Sequence, residues 1–166
     1  MKNLILTEPS LLADLPCDQL EKELLPVVRR LVRTLQTNDA SGLSRTYDRA
    51  VHQWGDPIGL SIAHLLQRLL SELTKCRGAA LECFYPRDRA ELQYISQDEY
   101  NLLAMLHHMR RDETSCARCF AEELTHGNVG SKAVRTGWTF AKRYSPGAIP
   151  SARNTRKSVR LRVVEQ

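Results

Sequence analysis

The sequence contains no long hydrophobic run. Apolar stretches such as those at Leu65 and Leu66 and at Leu69 and Leu70 are interrupted by polar residues. They fall far short of the roughly 18 apolar residues that cross a bilayer. The first apolar run of the chain ends at Thr7 after three residues, which is too short for a secretory signal. We therefore expect a cytoplasmic protein without a membrane partner.

Aromatic residues and cysteines are both few. Phe, Trp and Tyr make up 6% of the 166 residues, which argues against a stacking platform for single-stranded nucleic acid. The five cysteines are an odd number in a chain long enough to form a core without disulfides. Without a secretory signal, this count favours reduced thiols.

The motifs of several enzyme classes are missing. The glycine turn of residues 127–130 leads into a predicted helix but lacks the GxxxxGK[ST] pattern and the preceding strand of a phosphate-binding loop. The sequence has no GxSxG and no HExxH. Glu123 and His126 form a single ExxH, whereas a carboxylate-bridged pair of metals needs two. These absences favour a binding protein over an enzyme.

What is present is the composition of one ordinary globular domain followed by a basic tail. The chain is 42% hydrophobic and 26% charged, which is typical of a folded protein. Residues 145–166 contain five cations and one carboxylate and so carry most of the net charge of +5. We expect a helical domain over residues 1–144 and a mobile basic tail over 145–166. Apolar and basic residues alternate at 158–164, a pattern that would suit a short strand.

Apolar residues recur at helical spacing in six segments, which predict an all-α bundle. Asp56 as N-cap and Pro57 at the first helical position begin one helix, and Gly78 ends it. Ser96 and Glu99 form a capping box in front of another. The first helix contains Pro26 and is either kinked there or begins there. The predicted helices cover residues 20–35, 41–54, 56–76, 97–111, 114–126 and 131–144.

The segment between the third and fourth helices has a different pattern. Apolar residues flank the polar group at 86–89. Residues 78–95 therefore fit either a short hairpin, near 80–95, or an ordered loop, and periodicity alone does not separate the two.

A CxxC pair offers a candidate metal or redox site. Cys116 and Cys119 are three residues apart on a predicted helix, so both sulfurs share a face. Thr114 as helix cap would place Cys116 in the first turn, where free amides favour a thiolate. A zinc site needs two further ligands, and the competing interpretation is a set of inert, half-buried thiols. The candidate ligands to complete a zinc site are Cys76, Cys83 and His107, with His108 and His126 as further imidazoles.

Basic residues offer a candidate nucleic-acid surface. The helices at 114–126 and 131–144, joined by a short glycine turn, have the proportions of a helix-turn-helix. The same charges are also what an ordinary amphipathic surface helix shows. The candidate contacts are Lys132, Arg135, Lys142 and Arg143 in the last helix and Arg153, Arg156 and Lys157 in the tail.

These patterns favour a regulatory or adaptor protein, bacterial in style, that binds another protein through a helical surface and needs no cofactor. The first alternative is a DNA-binding regulator that uses the last two helices and the tail. The second is a zinc- or redox-dependent protein that uses the CxxC at 116–119.

Overall fold

The computed structural model describes residues 10–88 and 90–148. Helical conformation accounts for 74% of it, and six α-helices form a bundle with almost no strand, which confirms the all-α prediction. Residues 149–166 lie outside the described part. They include all three tail cations predicted to bind nucleic acid and the segment at 158–164 predicted as a short strand. The helices are α1 (Gln19–Thr37), α2 (Ala40–Trp54), α3 (Asp56–Arg77), α4 (Gln97–Arg110), α5 (Thr114–Thr125) and α6 (Ser131–Arg143).

Helix α1 begins at Gln19, about two turns before Pro26. Asp18 is its N-cap and forms a capping box with Glu21, so the helix is already established when Pro26 is reached. The alternative in which the first helix starts at Pro26 is therefore wrong. The helix ends at Asn38, which adopts the left-handed conformation with φ 53°.

Glycines define the two ends of α3. Gly55, with φ 82°, is its N-cap residue, and Asp56 is the first helical residue, so the prediction that Asp56 is the N-cap is wrong by one position. A positive φ is easily reached only by glycine, which explains why the boundary lies at Gly55. Gly78, with φ 75°, ends the helix as predicted.

The segment before α4 is an ordered loop and not a hairpin. Its only strand among the described residues, β2 (Tyr94–Ile95), pairs antiparallel with β1 (Ser10–Leu11) near the amino terminus. Side chains at the start of α4 hold the rest of the loop. Ser96 Oγ donates to the Glu82 carbonyl at 2.7 Å, and the Glu82 amide donates to Asp98 Oδ2 at 2.7 Å. These bonds take the place of pairing within the segment.

The predicted capping box of α4 is confirmed, since Ser96 Oγ accepts from the Glu99 amide and Glu99 accepts from the Ser96 amide. The cap of the next helix differs from the prediction, since Glu113, not Thr114, is the N-cap residue of α5. Gly130 is the N-cap residue of α6. Neither helix has a side-chain cap.

Helices α3 and α4 form the centre of the bundle. Helix α3 packs against α2, α6, α1 and α5, and α4 packs against α5, α6 and α1. Their contact surfaces are leucine-rich, and Leu66, Leu69, Leu102 and Leu106 are fully buried. No helix in the described ranges is both long and apolar enough to cross a membrane. Each of the other four helices packs against at least one of α3 and α4.

Candidate functional site

A groove of about 830 Å³ lies between α1, α2 and the loop that precedes α4. Five arginines line it, and Asp39 is the only carboxylate among its lining residues. We call it the arginine groove. Its volume is in the range of sites that take small molecules or side chains of a bound peptide. The arginines are Arg29, Arg30, Arg33, Arg45 and Arg49.

Helical spacing explains why the arginines converge. Arg29 and Arg33 are four residues apart on α1, and Arg45 and Arg49 are four apart on α2. Residues four apart lie on the same side of a helix. Because α1 and α2 pack together, their basic sides border one groove. The sequence contains this spacing, but the prediction of binding residues concerned the last helix and the tail and missed it.

Arg29 anchors the floor of the groove. It is 7% exposed, and its Nε donates to Glu99 Oε1 at 2.6 Å while its Nη2 donates to the Tyr94 carbonyl at 2.6 Å. Its guanidinium also lies 5.9 Å from the centre of the Phe84 ring. A buried, bidentate pair of this kind holds α1, the loop and α4 in one arrangement. Arg29 is therefore a structural charge, already neutralised within the protein.

The other arginines are exposed, and most of their charge is not neutralised. Arg45 Nη2 lies 3.4 Å from Asp39 Oδ2 in a pair that is open to solvent. The side chain and amide of Ser41 donate to Asp39 and lower the pKa of its carboxyl. Arg30, Arg33 and Arg49 form no salt bridge with any residue in the described ranges. The groove thus presents an excess of positive charge to solvent.

Apolar side chains border the same groove. Tyr85 is 43% exposed and Leu92 is 51% exposed, and they are two of the three large hydrophobic residues that are exposed within the described part of the chain. Both line the groove. The Arg33 guanidinium lies 5.8 Å from the centre of the Tyr85 ring. This cation–π contact holds the ring at one edge of the groove. The site therefore combines cations with exposed apolar surface.

The predicted nucleic-acid residues form a separate surface. All four of those on α6 are exposed. Lys132 and Arg135 line a shallow depression of about 470 Å³ between α6 and α3, together with Arg68 and Glu72. Lys142 and Arg143 occupy the last turn of α6. Arg153, Arg156 and Lys157 lie outside the described residues.

Helices α5 and α6 do not form the compact pair that a helix-turn-helix prediction assumes. Helix α5 packs mainly on α4, whereas α6 packs mainly on α3. A groove of about 410 Å³ remains between them, with Trp138 and Val129 among its lining residues. The cationic face of α6 is nevertheless accessible.

The structure does not bring the five predicted metal ligands together. Among the described residues, no group of three or more ligands combines Cys116 with Cys119, Cys76 or Cys83. Burial, with the neighbouring carboxylate of Glu99, raises the pKa of the Cys83 thiol. A protonated thiol is a poor metal ligand. Cys76 is half-buried and packs against the core, as the sequence indicated.

His107 belongs to a buried polar cluster with Cys17 and Glu21. Its Nδ1 lies 2.9 Å from Glu21 Oε2, which agrees with the interpretation of a histidine at the core edge. Burial and the nearby Glu21 carboxyl raise the pKa of the Cys17 thiol to about 12. Arg110 and Arg111 also donate to Glu21. Two guanidiniums beside the carboxylate make this cluster unfavourable for a cation.

His108 occupies a different environment, on the outer side of α4. Its Nδ1 contacts the Glu113 carboxylate, and its ring stacks on Phe120 with the ring planes 6° apart. Cys116 lies in the same group of ligand atoms. The sequence offered His108 among the imidazoles that could join Cys116, but it gave no reason to prefer His108 or to add Glu113.

Known proteins add no information on this site. No family model matches the chain, and no curated protein and no solved structure is similar to it.

Proposed function

We propose that the protein is a regulatory or adaptor protein that binds an acidic, partly apolar segment of another protein in the arginine groove. The observation that carries this proposal is the convergence of four exposed arginines with exposed Tyr85 and Leu92 around one concavity. A carboxylate-rich segment would pair with the exposed guanidiniums, which match carboxylates in a bidentate geometry. Its apolar side chains would cover Leu92 and the rim.

The apolar part of the groove favours a peptide over a nucleic acid. Phosphates gain nothing from Leu92, Pro26 or Pro86, all of which line the groove. Stacking on a base would require a free ring face, and the guanidinium of Arg33 lies over the Tyr85 ring. Burial of an exposed leucine by a peptide, in contrast, contributes about 1.5–3 kcal/mol.

Nucleic-acid binding by α6 is a second candidate function. The exposed cations Lys132 and Arg135 lie next to Arg68 of α3, which extends the basic face beyond one helix. The carboxylate of Glu72 is already paired, because Lys75 Nζ lies 2.7 Å from it. Glu72 therefore offsets little of the positive charge of Lys132, Arg135 and Arg68. This surface has no exposed large hydrophobic residue among its described lining, and it suits phosphate contacts.

A crossed experiment separates the two functions. The probes are a fluorescein-labelled peptide of Asp-Glu-Leu repeats and a labelled DNA duplex, each titrated with the full chain and read by fluorescence polarisation. Arg30→Glu combined with Arg49→Glu should weaken peptide binding at least about tenfold, because each reversal opposes like charges in the groove. Lys132→Glu combined with Arg135→Glu removes equal charge elsewhere and is the matched control.

The proposal requires that the control pair affects peptide binding little. Equal losses from both pairs would show attraction to net charge alone and would refute a specific groove. Leu92→Ala should weaken the peptide about tenfold without changing DNA affinity. If the α6 pair instead abolishes DNA binding while the groove pair leaves the peptide unchanged, the second candidate replaces the first.

A further inference from the structure

The turn between α4 and α5 brings three potential metal ligands together at one exposed corner. One ring nitrogen of His108, one carboxylate oxygen of Glu113 and the Sγ of Cys116 all lie within 4.8 Å of one another. Cys119 follows Cys116 by one helical turn and lies outside this group, and both thiols are exposed. Residues three apart are neighbours on a helix surface. This corner lies apart from the arginine groove and from the α6 surface.

The backbone of the turn places Glu113 over His108. Asp112 adopts the left-handed conformation with φ 59°, and the Glu113 amide donates to the His108 carbonyl at 2.9 Å. The chain therefore reverses tightly after α4. Glu113 is the N-cap residue of α5, yet its side chain does not cap the helix and contacts the His108 imidazole instead.

The imidazole is held in position before any ligand binds. The His108 and Phe120 rings are stacked with 5.4 Å between their centres, and the His107 ring lies edge-on to His108 at 5.3 Å. The Glu113 carboxylate contacts Nδ1 of the same ring. An imidazole held by two neighbouring rings and a carboxylate reduces the ordering that metal binding requires.

We propose that His108, Glu113, Cys116 and Cys119 bind one divalent metal ion of the zinc class. Two thiolates, an imidazole and a carboxylate form a complete tetrahedral set for Zn²⁺, whereas Mg²⁺ and Ca²⁺ prefer oxygen ligands. Binding releases the two thiol protons to solvent, and neither thiol is oxidised. All four ligands come from one α-helical corner, so the ion would clamp the end of α4 to the start of α5.

Titration of the reduced full-length protein with Co²⁺ tests the site, since tetrahedral Co²⁺ with thiolate ligands absorbs strongly in the near ultraviolet and the visible. We expect one Co²⁺ per chain, displaced by Zn²⁺. Cys116→Ser and Cys119→Ser should each abolish or greatly reduce the thiolate band, and His108→Gln should weaken binding about tenfold or more. Cys76→Ser removes a thiol outside the corner and is the matched control.

Far-ultraviolet circular dichroism of each variant shows whether the helices persist. The thiols of Cys116 and Cys119 are exposed, and that of Cys76 is half-buried. Absence of a thiolate band in the folded wild type would overturn the proposal. So would a titration that Cys119→Ser leaves unchanged, since the fourth ligand would then be wrong. A band lost in Cys76→Ser but kept in Cys116→Ser would place the metal elsewhere.

Discussion

Replacing Glu21 by Gln should destabilise the fold strongly, because this carboxylate is the centre of a buried ionic cluster. Glu21 is fully buried. Its Oε1 accepts from Arg110 and, at 2.9 Å, from Arg111. Its Oε2 accepts from the Asp18 amide at 2.8 Å and lies 2.9 Å from Nδ1 of His107. The cluster joins α1 to the end of α4.

The amide of Glu21→Gln keeps the shape of the side chain but removes its charge. The guanidinium of Arg110, 2% exposed, then keeps Asp18 as its one charged partner among the described residues, beside the Tyr144 carbonyl. Removing one partner of a buried ion pair costs about 3–5 kcal/mol. Because Asp18 still balances part of the charge, we expect a loss of about 3 kcal/mol, a large part of the roughly 5–15 kcal/mol that stabilises a domain of this size.

Urea denaturation at pH 7, followed by circular dichroism, measures this loss as a lower transition midpoint. Glu122→Gln is the matched control, since Glu122 pairs with Arg118 on the exposed face of α5 and should change the midpoint little. A Glu21→Gln midpoint equal to that of the control would refute the reasoning. It would mean that desolvation of the cluster cancels its attraction.

The same cluster sets the response to acid. Burial by itself would raise the pKa of Glu21, but hydrogen bonds with His107 and Arg111 outweigh it, and the pKa lies below the ordinary 4.5. A group whose pKa is lowered by folding stabilises the protein above its unfolded pKa and loses that contribution as pH falls through the folded pKa. The wild type should therefore lose stability below about pH 4.5, and Glu21→Gln should lose less over the same interval.

The remaining predictions concern packing. Leu69→Ala should cost about 2–5 kcal/mol, because Leu69 is fully buried, whereas Leu60→Ala, at a side chain that is 46% exposed, should change stability by less than about 0.5 kcal/mol. Equal urea midpoints for the two variants would show that this face of α3 is not core. Gly59→Ala would place a Cβ 2.4 Å from the Ala50 carbonyl oxygen and should cost about 1–3 kcal/mol by forcing α2 and α3 apart. A Gly59→Ala midpoint at or above the wild type would contradict that close approach.

Local patterns in the sequence were sufficient for the helices. The capping box of Ser96 and Glu99 and the ending of α3 at Gly78 depend on residues a few positions apart, and both are confirmed. Errors occurred where neighbouring residues competed for one role. Asp56, for example, has a side chain that favours the N-cap position. Gly55 occupies that position instead, because glycine easily reaches the positive φ found there.

The candidate sites were predictable only in part. Cys116 and Cys119 were singled out by their spacing, and Lys132 and Arg135 by charge along one helix. The arginine groove was missed although its arginines repeat at helical spacing. The arginines of α1 alone, or of α2 alone, form an ordinary solvated helix face, and only the packing of α1 beside α2 makes the two faces border one groove.

Helical periodicity is a local property, and the sequence by itself determined the six helices, their apolar faces and the leucine core. Contacts between distant residues were decided by the tertiary structure alone. Arg29 meets Glu99 across 70 positions, and Glu21 meets His107 across 86. No local pattern encodes such pairs, because their partners depend on how the helices pack. The arginine groove depends on that packing, and so it became visible only in the folded chain.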